Sequence, residues 1–230
     1  MEEIIRNKEY RLYVLDGHGT CCSDDPRLAP SVLSHPLAGG GMSSPQSSSM
    51  TIPQHIVVER DAKLDLIVLV LPGVSCDIKI DVCLAGEGAE ANIYGAYVCG
   101  GDERVKISVD MHHDLPHCNS RQLFKGIAGG TSRVDFYGKI IVAQDAQRTE
   151  AYQENHNILL TDGAKVDTKP QLEIYADDVK CSHGATIGRL NEEEQFYMRS
   201  RGISLEDAKV LQMISFIAPV LENVPETDRE

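Results

Sequence analysis

The sequence predicts a mainly β protein that ends in a short α-helical region. Seven short runs rich in Val and Ile lie between residues 54 and 187, and Gly, Asp or Asn separates them. No stretch with helical periodicity lies between these runs, which argues against βαβ units and favours an all-β body. From residue 190 onwards the pattern changes to two capped segments with helical spacing of apolar residues.

Length and charge limit the classes of protein to consider. The 230-residue chain carries 22 Lys and Arg against 35 Asp and Glu, a formal charge of −13. Its length suits one domain, or one domain with a small appendage. Hydrophobic residues make up 42% of the chain, which is enough to build a core. The acidic balance argues against a nucleic-acid-binding protein, which needs a basic surface.

Membrane insertion and secretion are not expected either. The longest strictly apolar run, Leu66–Leu71, has six residues, whereas a membrane-spanning helix needs about 20. The sequence opens with Met1-Glu2-Glu3 and lacks the basic and apolar segments of a signal peptide. The seven Cys show no regular framework, which favours reduced thiols. We therefore expect a soluble, acidic, cytoplasmic protein.

The first segment, residues 1–53, predicts one strand followed by a mobile loop. The apolar run Tyr10–Leu15 alternates loosely and suits a strand. Residues 16–53 lose this periodicity, and their Gly and Ser clusters are typical of turns and linkers. The vicinal pair Cys21-Cys22 lies in this predicted loop and carries no argued function.

The second segment, residues 54–189, is the predicted β body. Its runs are Ile56–Val58, Leu64–Leu71, Ile78–Val82, Ala91–Tyr94, Val105–Val109, Val134–Tyr137 and Leu172–Tyr175. These runs are short and often alternate between apolar and polar residues, as strands with one buried face do.

A weak internal repeat refines this prediction. The pattern small-polar-apolar-polar recurs in four places, and each resembles a turn leading into a strand. The four copies are Ala62–Asp65, Ala89–Asn92, Ser132–Asp135 and Ala164–Asp167. They are 27, 43 and 32 residues apart, which suits a β-solenoid with coils of uneven length. A sandwich or a barrel would give the same list of strands.

The third segment, residues 190–230, predicts two helices. Asn191 is a favourable N-cap, and three acidic residues follow it, with Glu194 at the capping-box position. This helix is expected to stop near Arg201-Gly202. Ser204 caps a second helix, which Pro219 is expected to kink or end.

The densest group of metal-binding residue types lies within residues 112–118, which hold three His, one Cys and one Asp. His112 and His113 are adjacent, so on a strand they face opposite ways, and Pro116 interrupts the run. The alternative is therefore a turn with surface His residues and a buried Cys118.

Cys181 and His183 have a more favourable spacing. On a strand, residues two apart project from the same face, with Cα atoms roughly 6.5–7 Å apart. A thiolate and an imidazole can share an iron or the edge of a cluster. Two ligands do not complete a four-coordinate site, so other residues, sulfide or a partner chain would supply the rest. Gly184 leaves room for such a group. The alternative is a buried Cys beside a satisfied His.

Two further motifs are more simply explained as structural features than as binding sites. Asp177-Asp178 is a cation-site candidate, but it more readily forms an exposed acidic turn. The Gly-rich run at residues 126–130 lacks the Lys-Ser/Thr ending of a phosphate-binding loop, and no helix follows it.

Several segments resemble the SufB/SufD family of the SUF iron–sulfur cluster assembly system. They are Pro116–Gln122, Gln147–Gln153, His156–Leu160, Lys169–Ile174, Asp177–Thr186 and Phe196–Gly202. The similarity is dense from about residue 110 to 218, faint from 54 to 110, and not detected before 54. Ser182–Thr186 resembles SufD more than SufB. Cys181 and His183 fall on the SufD positions associated with cluster assembly at the SufB–SufD interface.

The resemblance implies a right-handed parallel β-helix over residues 54–189 and a helical region over 190–230. It implies a non-enzymatic scaffold that pairs with a SufB-like partner through its β-helix. It also implies docking of a SufC-like ABC ATPase through residues 190–222, with no permanently bound cofactor. A cluster would be held transiently by Cys181, His183 and groups of the partner chain.

Two alternatives remain at this stage. The chain can pair with itself as a homodimeric scaffold of the same family. A cupin-like metal enzyme using His112, His113 and His117 is less favoured, because the required His-x-His pair with a following Glu is absent. The N-terminal helical region of the family is also missing from the sequence, so no role resting on it is expected.

Overall fold

The chain winds into a parallel β-solenoid of about five coils followed by two helices. The computed structural model describes residues 2–16, 19–23 and 55–228. Within them, neighbouring strands of each sheet are parallel and non-consecutive in sequence, apart from one antiparallel pair. This topology confirms the predicted β-helix and excludes the sandwich and the barrel that the strand list also allowed.

Two sheets form the walls of the solenoid. Sheet A contains, in spatial order, β1 (Glu2–Ile5), β4 (His55–Val58), β6 (Cys76–Leu84), β8 (Arg104–His113), β10 (Arg133–Val142) and β12 (Lys165–Ile174). Sheet B contains β13 (Lys180–Gly188), β11 (Glu150–Leu159), β9 (Asn119–Ala128), β7 (Glu90–Cys99), β5 (Lys63–Val70), β2 (Lys8–Asp16) and the antiparallel β3 (Gly19–Ser23). Register partners in consecutive coils of sheet B from β5 to β13 are 27 to 31 residues apart.

The four-residue repeat marks strand starts, as predicted. Its small first residue is buried immediately before β5, β7, β10 or β12 in each case: Ala62, Ala89, Ser132 and Ala164. The first two copies precede strands of sheet B and the last two precede strands of sheet A. The irregular interval of 43 residues therefore arises because the pattern changes sheet between its second and third copies.

Alternate residues of each central strand point into the solenoid and form one continuous core. Where these interior positions are Val, Ile or Leu, the strand was recognisable from the sequence. Strands β9 and β11 were not predicted, because several of their interior positions are amides, such as Gln122, Gln153 and Asn155. The interior is thus partly polar, which hydrophobic periodicity does not reveal.

The N-terminal segment departs from its prediction in two places. Strand β2 contains the predicted run Tyr10–Leu15, but it is preceded by the unpredicted β1. Residues 19–23, expected to be loop, form β3 against β2, so Cys21-Cys22 lies in a strand. The backbone hydrogen bonds of that pairing stabilise an extended conformation that side-chain periodicity did not indicate. The rest of the predicted loop, residues 17–18 and 24–53, lies outside the described residues.

The two predicted helices are present with their predicted caps. Helix α1 (Glu192–Ser200) begins after Asn191, whose side chain accepts hydrogen bonds from the backbone of Glu193 and Glu194. Helix α2 (Leu205–Leu221) begins after Ser204. Pro219 lies within α2, so the helix passes the proline and ends two residues later.

Helix α2 and the segment after it pack on the outer face of sheet B. Val224 is buried against Leu12 and Ile67 in a small second core. The ammonium group of Lys125 lies 4.5 Å from the ring centroid of Phe216, a cation–π contact between β9 and α2. Among the described helices, none has the length and apolarity needed to cross a membrane.

Candidate functional site

Strands β12 and β13 form the last coil of the solenoid. Each is the terminal strand of its sheet in the described part of the chain. The conditional prediction that the segment around Cys181 is a strand is confirmed, since β13 covers residues 180–188. Its interior face continues the interior face of β11, but residues on it remain half-buried or exposed. The end of the solenoid is therefore open, and β13 forms one side of it.

Cys181 stands on the interior face of β13, in register with the buried Ala151. Its side chain is half-buried and packs against the main core. Burial raises the pKa of the Cys181 thiol, and a backbone hydrogen bond from Ala151 partly opposes this rise. The free chain thus holds a protonated thiol at neutral pH, which a metal ion or a neighbouring cationic group would convert to a thiolate.

His183 shares the interior face with Cys181, as the spacing of two residues predicts. It is exposed and stands in register with the fully buried Gln153. Gln153 donates in turn from Nε2 to Oε1 of Gln122, 2.9 Å away in the preceding coil. The imidazole is therefore accessible from outside and adjoins a buried polar row on the inside.

The surroundings of this pair are open and partly apolar. A Cβ atom added to Gly184 would meet no atom within 4 Å, which agrees with the room predicted there. Near the open end, Ile174, Tyr175 and Ile187 expose 40%, 63% and 45% of their surfaces. Large apolar side chains grouped at a free strand edge are typical of a surface that binds another protein.

The His-rich run at residues 112–118 does not form a metal site. His112 and His113 face opposite sides of β8, so His112 lies 3.6 Å from Asp81 outside while His113 contacts Ser120 inside at 2.8 Å. Cys118 is buried and its thiol donates to the Gly86 carbonyl. Among residues 2–16, 19–23 and 55–228, no three His, Cys, Asp or Glu residues converge as metal ligands.

The other two weak motifs also have structural roles. Asp178 lies in an exposed acidic turn, as predicted, and its carboxylate is 3.7 Å from the Arg148 guanidinium. Gly126 lies within β9 between Tyr97 and Asn157, its register partners in the two adjacent coils. Its missing side chain leaves the space in which the Tyr97 hydroxyl donates to the Asn157 side-chain oxygen.

The helical region presents a second apolar surface. Phe196 and Tyr197 of α1 expose 73% and 60% of their surfaces. On α2, Val210, Leu211 and Ile214 are each about half exposed. A cleft between the two helices and the solenoid is lined by Tyr197 and Leu211, among other residues. These side chains cost free energy in water and favour contact with another protein.

Sequence reasoning missed the polar interior next to the site. The fully buried Gln122, Gln153 and Asn155 lie in the two coils that precede β13. The alternation of Gln153, Asn155 and Asn157 with other residues was visible in the sequence. It has the period of a strand, but such a pattern is usually read as the solvent-facing side.

The fold and the site together define a class of protein: parallel β-solenoids whose last coil presents a thiol and an imidazole side by side at an open end. The chain belongs to the SufBD core domain family of the SUF system for FeS cluster assembly, whose family model matches residues 44–216. The predicted resemblance is thereby confirmed. The match begins at residue 44, whereas the resemblance was predicted to begin at residue 54, ten residues later.

Curated relatives agree with this assignment, and one of them is a SufD protein. The chain is 52% identical to the iron–sulfur cluster assembly protein SufD of Escherichia coli (strain K12) over 112 residues, 49% of the chain and 26% of that protein. It is 46% identical to a SufBD family protein of Synechocystis over 118 residues, 51% of the chain and 26% of the relative. A SufBD family protein of Mycobacterium leprae is 30% identical over 178 residues, 74% of the chain and 45% of the relative. The chain thus spans less than half the length of these relatives.

Proposed function

We propose that this chain is a SufD-like, non-enzymatic scaffold subunit in the assembly of iron–sulfur clusters. The observation that carries the proposal is the placement of Cys181 and His183 on one face of the terminal strand, at the open end of the solenoid. Both residue types are cluster ligands. Their position allows a second chain to approach them directly.

The cluster is cargo in this proposal and passes through the site. Two side chains fill half of a tetrahedral coordination shell. The described part of the chain brings no third ligand of the His, Cys, Asp or Glu type to them. The remaining ligands are therefore sulfide or groups of a partner chain, so that assembly occurs only when the two chains meet.

The partner we propose is a SufB-like chain that pairs with the last coil. Strands β12 and β13 offer free edges, and the exposed Tyr175 and Ile187 stand beside them. Unpaired backbone groups at a strand edge bind an added strand, and neighbouring apolar side chains contribute burial. Pro170 in β12 has no N–H to donate, which makes β13 the more suitable of the two edges.

A SufC-like ABC ATPase is the proposed partner of the helical region. Residues 190–222 contain the exposed apolar side chains of α1 and α2, including Phe196 and Ile214. Helix α2 also contacts sheet B through Phe216 and Lys125. A movement of the ATPase can therefore be transmitted to the solenoid, which would open or close the paired site.

Co-purification with SufB-like and SufC-like chains tests this proposal. The variant Tyr175→Asp places a charge at the proposed pairing end, where the native side chain is largely exposed and folding is not at risk. Leu71→Asp is the matched control, since Leu71 is an exposed apolar residue directly after β5, several coils away. We expect Tyr175→Asp to lose the SufB-like chain and retain the ATPase, while Leu71→Asp retains both. Equal binding by both variants would contradict the proposed interface, and loss of self-association in place of SufB binding would favour the homodimer.

A further inference from the structure

A row of polar side chains runs inside the solenoid and ends at His183. Gln122 on β9, Gln153 on β11 and His183 on β13 are register partners in consecutive coils and share the interior face. Both glutamines are completely buried, whereas His183 is exposed at the open end. His183 therefore occupies the position at which a third member of the amide row would stand.

The hydrogen bonding in this row leaves one buried acceptor of Gln153 without a donor. Gln153 uses Nε2 to donate to Gln122, and its Oε1 accepts no hydrogen bond within the described residues although it is shielded from solvent. The carbonyl and amino groups of an amide point in different directions, so this oxygen is not directed at Gln122. A buried carbonyl without a donor is unusual, because burial removes the water that would otherwise satisfy it.

The neighbours of Gln153 restrict which donor can reach it. A Cβ atom at Gly138 on the opposite sheet would lie 2.2 Å from Gln153 Nε2, so the amide extends across the interior into space that only glycine leaves. On the interior face of β13, His183 stands at the matching register position, between Cys181 and Ala185. Alanine has no side-chain donor and a thiol is a weak one, whereas imidazole has a strong N–H donor.

We infer that Gln153 is a positioning residue for His183: when the exposed imidazole turns toward the interior, the Gln153 side-chain carbonyl, which has no donor in the structure, accepts a hydrogen bond from one imidazole N–H and leaves the other ring nitrogen, with its lone pair, facing the open end. Histidines that bind metal ions commonly donate their second N–H to a fixed acceptor, which sets the tautomer and the ring orientation. Gln153 supplies that acceptor before any partner or cluster arrives. This inference deepens the proposed function and rests on the role given there to His183.

Nuclear magnetic resonance of the full chain labelled with ¹⁵N-histidine tests the inference. Long-range ¹H–¹⁵N correlations on the neutral ring report which nitrogen carries the proton. We expect one tautomer of His183 to exceed the other by at least about tenfold, the preference that a hydrogen bond of about 1.4 kcal/mol confers. In Gln153→Met the ratio should change to that of the exposed His117, which serves as an internal reference.

Gln122→Met is the matched control. It removes the partner of the same buried hydrogen bond but keeps the Gln153 side-chain carbonyl. We expect its His183 spectrum to remain that of the wild type. An unchanged spectrum in Gln153→Met, or equal changes in both variants, would overturn the inference, because the effect would then be absent or merely structural.

A second variant keeps the test decisive if Gln153→Met does not fold. Gln153→Glu retains an acceptor oxygen at the same position, so it should keep the tautomer preference of the wild type. Loss of that preference in Gln153→Glu would overturn the inference. The proposed function fails separately: if His183→Ala supports normal cluster assembly, His183 has no such role, whatever the tautomer measurement shows.

Discussion

The imidazole Nε2 of His113 lies 2.8 Å from the hydroxyl of Ser120, in the interior of the solenoid, and links β8 to β9. Both side chains are buried, and the second ring nitrogen of His113 has no partner within the described residues. Burial, partly opposed by the charge of Asp114, lowers the pKa of His113 to about 4. The contact between the two sheets thus depends on a neutral imidazole.

The first prediction concerns stability at acid pH. In the unfolded chain His113 titrates near its ordinary pKa of about 6.5. Between pH 6.5 and 4 the unfolded state therefore binds a proton that the folded state does not. The contribution of His113 is complete above pH 6.5 and declines by about 3 kcal/mol as the pH falls to 4. Urea unfolding at several pH values measures how the free energy of unfolding of the wild type and of His113→Gln changes with pH. The free energy of the wild type should fall more steeply than that of His113→Gln below pH 6.5, and identical slopes in the two proteins would contradict the prediction.

The second prediction concerns the space at Gly126. An added Cβ atom would lie 1.9 Å from the buried Tyr97 ring and 2.5 Å from Asn157 Oδ1. Because neither neighbour has free space to move into, we expect Gly126→Ala to lower the free energy of unfolding by about 3 kcal/mol. Gly184→Ala is the control, since nothing lies within 4 Å of its added Cβ, and its effect should stay within about 0.5 kcal/mol. Equal denaturant midpoints for the two variants would show that the interior tolerates the extra atom.

The third prediction concerns docking of the ATPase. Phe196 and Ile214 are 73% and 57% exposed, so replacing either by Ser removes apolar contact area without emptying the core. Each replacement should weaken SufC-like binding at least about tenfold, which corresponds to about 1.4 kcal/mol. Calorimetric titration measures this affinity. Leu115→Ser, at an exposed apolar position in the turn after β8, should bind like the wild type. If all three variants bind equally well, the ATPase docks elsewhere.

The fourth prediction concerns the reactivity of the cysteines. Burial raises the pKa of Cys76 and Cys83 to about 12, and Cys99 and Cys118 are buried. Cys181 is half-buried and its pKa is also raised. Peptide-resolved alkylation should modify Cys181 faster than these four, at a rate that increases as the pH rises above 9. Adding the SufB-like chain should protect Cys181. Unchanged alkylation in the complex would place Cys181 outside the interface.

The fold was predictable where interior positions are apolar. Runs such as Leu64–Leu71 and Ile78–Val82 identify β5 and β6, and the small first residue of each repeat marks a strand start. The unpredicted β9 and β11 contain glycine and amides at interior positions. The alternation of apolar and polar residues that marks a half-buried strand is therefore weak in both. Strand β3 depends on pairing with β2, a contact that the loop-like composition of its surroundings concealed.

The site was predictable only in part, because some of its features depend on residues close in sequence and others on residues far apart in sequence. A spacing of two residues determines that Cys181 and His183 share a face once the segment is a strand. This face lies at an open end because β13 is the last strand of its sheet. The position of β13 in the sheet depends on the order of all the coils, which local spacing does not determine. The register of His183 with Gln153 likewise depends on coil length, since the two residues are 30 positions apart.

Cluster assembly by reconstituted complexes tests the central claim most directly. The complex would contain this chain, a SufB-like partner, a SufC-like ATPase and a source of iron and sulfide, and cluster formation would be followed by visible absorbance. We expect the double variant Cys181→Ala/His183→Ala to fold and pair as the wild type does, because neither side chain fills the core completely. Its cluster yield should fall at least about tenfold, the effect of losing an interaction of about 1.4 kcal/mol or more. Normal cluster formation by a correctly paired double variant would contradict the role of this site.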